Sequence, residues 1–166
     1  MTDECAQCGF VYDLRAAATA GPAIDERVDA AVAILGDREV DVRSRRRPEV
    51  WSPLEYGCHL RDMLLVQRER VLAALRADRP ECAPMGRDER VMHDGYADQR
   101  PADVARQLAD AAQMFGNVLS RLSDDDWNRT LVYNFPETSE RSLRWVAVHT
   151  LHDVHHHLGD ITHQID

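Results

Sequence analysis

Histidines are concentrated near the C-terminal end of this sequence. Six of the eight histidines in this 166-residue sequence lie between Trp145 and Ile165: His149, His152, His155, His156, His157 and His163. Apolar residues recur through the same stretch at three- and four-residue spacing, which predicts a helix. On that helix His152 and His156 lie about 40° apart, one turn from each other. This spacing lets two imidazoles bind one metal ion, and a catalytic ion needs a third ligand from elsewhere.

His59 is the candidate for that third ligand. It lies in the second turn of another predicted helix. The start of that helix is indicated by a capping box, Ser52 with Glu55, and by Pro53 at the first helical position. Three side chains are candidates for catalytic groups that orient the ligands or transfer protons: Asp62, His149 and Asp160. Each of these three could equally be a solvated helix residue.

The other metal-binding pattern is Cys5-x-x-Cys8-Gly near the start of the chain. Two cysteines at this spacing, followed by glycine, are typical of one half of a structural zinc site, which needs two more ligands. Cys82 and His93 could supply them only if the connection between helices folds over the N-terminus. The alternatives are two unliganded thiols, a half-site shared with a second chain, and a redox-active dithiol.

Composition excludes several classes of protein. A net charge of −9 and a pI near 5.3 argue against a nucleic-acid-binding surface, and the basic run RSRRR at 43–47 is expected to be a solvated loop. No apolar run is long enough to span a membrane, and no signal peptide is recognisable. Four scattered cysteines do not make a disulfide scaffold. We therefore expect a cytoplasmic protein that binds neither nucleic acid nor membrane.

Apolar periodicity predicts four amphipathic helices. They cover residues 24–35, 52–77, 101–122 and 142 to near the end, with long connections at 37–50, 78–100 and 127–141. No strand pattern is long enough to build a sheet. The prediction is an all-α, four-helix bundle at 21–166, preceded by a CxxC extension at 1–20. Bundles of this kind build metal sites from residues on facing helices.

Two stretches resemble a known family. WSPLEYGCHLRD on the second helix and HTLHDVHHHLGDI on the last are similar to the signature stretches of the DinB/YfiT-like superfamily, especially of actinobacterial members related to the mycothiol-dependent maleylpyruvate isomerases. The resemblance runs from about Ile24 to the end. It implies a four-helix bundle and a divalent metal, zinc or nickel, held by His59, His152 and His156. The isomerase branch has Glu where this chain has His152, so the resemblance does not extend to maleylpyruvate as substrate.

Three hypotheses for function follow. The first is a thiol S-transferase-like enzyme that activates a small thiol, with mycothiol implied by the resemblance, for transfer to an electrophilic substrate. The second is a hydrolase that uses a metal-activated water. The third is a non-enzymatic metal-binding stress protein whose histidines buffer several ions. The resemblance also implies a homodimer.

Overall fold

A computed structural model describes residues 4–135 and 137–165. In chain order the elements are α1 (Ala20–Gly36), α2 (Pro53–Arg76), β1 (Glu81–Cys82), α3 (Arg87–His93), α4 (Pro101–Leu119), β2 (Thr130–Asn134), β3 (Thr138–Ser142) and α5 (Leu143–Thr162). Short 3₁₀ helices occupy Leu14–Thr19, Tyr96–Asp98 and Asp126–Asn128. In the described ranges, no helix is both long and apolar enough to cross a lipid bilayer.

Four helices form the bundle, because α1 and α2 each pack against both α4 and α5. Capping residues fix where two of them begin: Ser52 and Glu55 form the predicted capping box on α2, and Ser142 accepts a hydrogen bond from the backbone of Trp145 at the start of α5. Each helix turns one apolar stripe inward. The buried stripes include Ile24, Val28 and Leu35 of α1, Leu60, Leu64 and Val71 of α2, Val104, Leu108 and Phe115 of α4, and Val146, Leu151, Val154 and Ile161 of α5.

A three-stranded sheet corrects the all-α expectation. Its order is β1-β2-β3, with β1 parallel to β2 and β2 antiparallel to β3. β1 comes from the connection predicted to lack structure, and it pairs Glu81 with Val132 and Cys82 with Tyr133. The ring of Tyr133 packs edge-on against Trp145, so the sheet lies beside the start of α5.

The N-terminal segment lies along α5. A tight turn at Cys5–Gly9 is closed by hydrogen bonds from Cys5 N–H to the Phe10 carbonyl (2.9 Å) and from Gly9 N–H to the Cys5 carbonyl (2.8 Å). Gly9 adopts φ +70°, which glycine tolerates without strain. The Phe10 ring then packs against His152, and the 3₁₀ helix Leu14–Thr19 packs on α5. The segment is therefore docked on the bundle.

Asp62, one of the predicted catalytic groups, belongs to a buried structural network. Its carboxylate accepts hydrogen bonds from Tyr96 Oη (2.6 Å) and Arg61 Nε (2.8 Å), and it lies 3.5 Å from Arg90. Arg61 and Asp62 are 7% and 6% exposed. The network ties α2 to the connection before α4, and this contact set indicates a structural role for Asp62.

We expect Asp62→Asn to lower the free energy of unfolding by about 3 kcal/mol, because a buried guanidinium loses its paired carboxylate. Urea denaturation measures the loss. Asp110→Asn, an exposed carboxylate change on α4, is the matched control and should stay within about 0.5 kcal/mol of wild type. Unchanged stability in Asp62→Asn would contradict the structural role.

Candidate metal centre

A cavity of about 370 Å³ separates α2 from α5 and from the connection that follows β1. We call it the α2–α5 cavity. Its polar lining includes His59 from α2 and, from α5, His149, Asp153 and His157. The three α5 residues follow one another at four-residue spacing, so they lie along one side of the helix. Two facing helices thus contribute four potential ligands to the lining of one cavity.

His59 is deeply buried at this cavity. It is 5% exposed, and its ring lies 4.9 Å from that of His157 and 5.3 Å from that of Trp51, measured between centroids. Its Nδ1 atom is buried and finds no hydrogen-bond partner among the described residues. Burial, and secondarily the nearby His157, lower the pKa of His59 to about 4. The imidazole is therefore neutral at pH 7, the state in which it can bind a metal.

Neighbouring groups orient the α5 side chains. Nδ1 of His157 lies 2.8 Å from Oδ2 of Asp160, which leaves Nε2 of His157 free for another partner. His149 stacks on Trp145 with centroids 4.4 Å apart, and its Nε2 lies 3.6 Å from Oδ2 of Asp153. Although burial opposes it, the charges of His149 and the hydrogen bond with His152 lower the pKa of Asp153. Asp153 is thus held as a carboxylate.

The predicted ligands His59, His152 and His156 are not brought together. His152 and His156 lie with Cys5 and Cys8, and one potential ligand atom from each of these four side chains lies within 4.8 Å of the others. Asp153 and His157, each one residue after a predicted α5 ligand, line the α2–α5 cavity with His59 and His149. The structure also groups His149 with His152 and Asp153, and His156 with His157 and Asp160.

The other predicted site residues are divided between these places. His149 lines the cavity, and Asp160, which is not part of the lining, contacts His157. Cys5 and Cys8 are adjacent, as their spacing predicts, whereas Cys82 pairs within the sheet. Hydrogen bonds from the backbone N–H groups of Cys8 and Gln7 lower the pKa of Cys5 to about 6, while burial raises that of Cys8. The Cys5 thiol therefore loses its proton more readily than the Cys8 thiol.

Comparison with known proteins identifies the family of this chain. The DinB superfamily matches the sequence over residues 23–161, which is most of the chain. The protein belongs to the DinB superfamily. The extension that carries Cys5 and Cys8 precedes the matched region.

A solved DinB-like structure has the same fold. The YfiT protein from Bacillus subtilis, described as a probable metal-dependent hydrolase with an unusual four-helix bundle topology, superposes with a TM-score of 0.74 at 16% identity. The match covers 90% of this chain and 84% of that one. No curated protein matches the sequence. The likeness therefore establishes the bundle topology.

Sequence reasoning missed Asp153, His157 and Tyr12 of this DinB-superfamily chain. His157 comes three residues after Val154 and four before Ile161, both buried, so it borders the apolar stripe that faces the bundle. His156 lies about 140–160° from the same two residues. The angle around the helix between each histidine and the apolar stripe could have distinguished His157 from His156. Tyr12, whose Oη lies 2.9 Å from His149 and 2.8 Å from His152, offered no such periodic signal.

Because the pKa of His59 falls from 6.5 in the unfolded chain to about 4 in the folded protein, stability of the metal-free protein should depend on pH. Between pH 6.5 and about pH 4 the unfolded chain binds more protons than the folded protein. The free energy of unfolding is therefore highest above pH 6.5 and declines as the pH falls towards about 4. The His59 contribution to this decline is at most about 3 kcal/mol.

Urea denaturation in the presence of a chelator, at a series of pH values, tests this dependence. His59→Gln should flatten the decline, whereas the exposed control His163→Gln should keep it. An identical pH dependence in wild type and His59→Gln would show that His59 is not the titrating group.

Proposed function

We propose that this DinB-superfamily protein is a metal-dependent enzyme in which His59, Asp153 and His157 hold one divalent ion in the α2–α5 cavity. The observation that carries the proposal is that these side chains, from two helices, line one cavity, in which the rings of His59 and His157 lie 4.9 Å apart. The cavity volume of about 370 Å³ is suitable for a small-molecule substrate.

The donor set fits a divalent metal. His59 is neutral and buried with Nδ1 unpartnered among the described residues, Asp153 is ionised, and His157 has one nitrogen engaged by Asp160 and the other free. Two imidazoles and one carboxylate are a ligand set of catalytic zinc sites, and imidazole and carboxylate donors also accept nickel or iron. A divalent ion there would supply Lewis acidity, which lowers the pKa of a thiol or a water molecule that binds it.

The protein's own side chains orient the ligands. Asp160 accepts a hydrogen bond from His157 Nδ1–H, which fixes the tautomer with Nε2 free. His149 lies against Asp153 and is itself held by stacking on Trp145. Such supporting contacts maintain ligand geometry and make the ligands more basic.

The rest of the lining combines charges of both signs with apolar surface. Arg70 and Arg87 contribute positive charge, and Asp88 and Glu89 contribute negative charge. Met85 and Phe135 contribute apolar surface. Phe135 is 55% exposed, an unusual position for a large aromatic side chain, so a bound substrate could cover it. The Arg70 guanidinium is fixed by Tyr133 Oη (2.8 Å) and the Ala83 carbonyl (2.7 Å), which prepares it to bind an anion without reordering.

Transfer of a small thiol to an electrophile is the reaction we favour. In the isomerase branch that the sequence resembles, a carboxylate precedes the ligand histidine by four residues, and Asp153 stands in that relation to His157. The sulfur of the thiol would form a carbon–sulfur bond with the electrophile. In a substitution the bond to the leaving group breaks and the leaving group takes up the thiol proton, and in an addition the π bond breaks and the far carbon takes up that proton. Mycothiol is the proposed physiological thiol. Hydrolysis is the second candidate, favoured by the description of YfiT as a probable metal-dependent hydrolase.

Metal analysis tests the ligand set. His59→Ala, Asp153→Ala and His157→Ala should each lose one equivalent of divalent metal per chain, because each removes one of three donors. Elemental analysis of the purified proteins, with circular dichroism to verify folding, gives the result. His163→Ala, an exposed change near the end of the same helix region, is the control and should keep its metal. Folded His59→Ala and His157→Ala with full metal content would refute the site.

Assays of the wild-type protein separate the two reactions. We expect consumption of a small thiol, including mycothiol, with an electrophilic acceptor to require bound metal and to fall at least about 100-fold in His157→Ala. Hydrolysis of ester and amide substrates without thiol would instead support the second candidate. Thiol transfer that persists at full rate after metal removal would overturn the favoured reaction.

A further inference from the structure

We propose that Cys5, Cys8, His152 and His156 form a second metal site, a structural zinc site that fastens the N-terminal segment to α5. It lies outside the set of residues proposed to hold metal in the α2–α5 cavity, and it does not depend on that proposal. No residue of the DinB-matched region other than His152 and His156 contributes to it.

The four side chains already have the proximity that one ion requires. One potential ligand atom from each lies within 4.8 Å of those of the other three. Tetrahedral zinc with ligand bonds of about 2.0–2.3 Å separates its ligand atoms by roughly 3.3–3.8 Å, so the side chains need only small rotations to reach it. The arrangement combines a Cys-x-x-Cys turn with a His-x-x-x-His pair one helical turn apart.

The turn at Cys5–Gly9 has the form of a zinc-binding knuckle. The Gly9 N–H donates to the Cys5 carbonyl, Gly9 takes the left-handed φ of +70°, and the Cys5 N–H donates to Phe10. The backbone N–H groups of Cys8 and Gln7 lie near the Cys5 sulfur and lower the pKa of its thiol. Backbone donors of this kind stabilise thiolate, and thiolate is the form that binds metal.

The histidine nitrogens point to a missing partner. His152 Nε2 and His156 Nδ1 are buried, and neither finds a hydrogen-bond partner among the described residues. Leaving such atoms unpaired costs about 1–3 kcal/mol each, which a bond to an ion would offset. Two independent observations, the ligand cluster and the unpaired nitrogens, therefore indicate the same ligand.

Tyr12 holds His152 in the orientation that the site needs. Its Oη lies 2.8 Å from Nδ1 of His152, and it also lies 2.9 Å from Nδ1 of His149. Nδ1 of His152 also lies 3.3 Å from Oδ1 of Asp153, and a carboxylate can only accept a hydrogen bond. His152 Nδ1–H therefore donates towards Tyr12 and Asp153, and the tyrosine hydroxyl donates to His149. These hydrogen bonds place the proton of His152 on Nδ1 and leave Nε2 free for the ion.

The donor chemistry selects zinc. Two thiolates and two imidazoles in a tetrahedral set are the ligands of a closed structural zinc site, which has no position left for substrate. Thiolates are soft ligands, whereas magnesium, calcium and manganese prefer oxygen ligands. We therefore assign the site a structural role, in contrast to the carboxylate-containing set of the cavity.

The His59→Ala variant isolates this site from the cavity. Expressed with zinc, His59→Ala should retain one zinc per chain, and X-ray absorption at the zinc edge should show two sulfur neighbours at about 2.3 Å and two nitrogen neighbours at about 2.0–2.1 Å. Adding Cys5→Ser and Cys8→Ser should remove that zinc. Adding His163→Ala instead, the matched histidine control, should leave it in place.

A ligand exchange gives a second test that does not depend on losing the ion. In the His59→Ala background, Cys8→His keeps four donors, so zinc should remain with one sulfur neighbour in place of two. Cobalt substituted for zinc should show thiolate charge-transfer absorption in wild type and lose it in the double cysteine variant. Zinc with no sulfur neighbours in His59→Ala, or zinc retained in full by the folded double cysteine variant, would overturn the proposal. If the cavity residues bind no metal, the zinc held by Cys5, Cys8, His152 and His156 should still be present.

Discussion

Buried imidazole nitrogens need partners, and the organisation of this protein around α5 follows from that requirement. A polar group removed from water without a partner costs several kilocalories per mole, so native proteins rarely leave one unpaired. Here three buried ring nitrogens, on His59, His152 and His156, find none among the described residues. Each lies beside other potential metal ligands. The packing of the bundle has thus prepared places where an ion would satisfy nitrogens that protein atoms do not.

Helical geometry explains how one helix can serve two sites. Pairs four residues apart recur on α5 with a shift of a single residue, so His152 and His156 lie about 100° around the helix from Asp153 and His157. One pair is covered by the N-terminal segment, and the other lines the cavity with His59. The Tyr12 hydroxyl contacts both His149, which lines the cavity, and His152, which lies with Cys5 and Cys8, so one hydroxyl group connects the two sites.

Local signals in the sequence predict the bundle well and the grouping of the histidines poorly. The capping box at Ser52 and the cap at Ser142 give the starts of α2 and α5 to within one residue of the structure. The sheet was missed because β1 has only two residues, and its pairing with β2 joins segments far apart in sequence. The spacing in HTLHDVHHHLGD is compatible with several ligand pairs, and only the packing of α2 and the N-terminal segment distinguishes them.

The docked N-terminal segment also bears on the stability of the whole molecule. An ion bound by Cys5, Cys8 and the two α5 histidines would join the first and last parts of the chain. Because the unfolded chain does not hold these four ligands together, the free energy of binding the ion would stabilise only the folded protein. The extension would then stabilise every helix of the bundle, including those that it never touches.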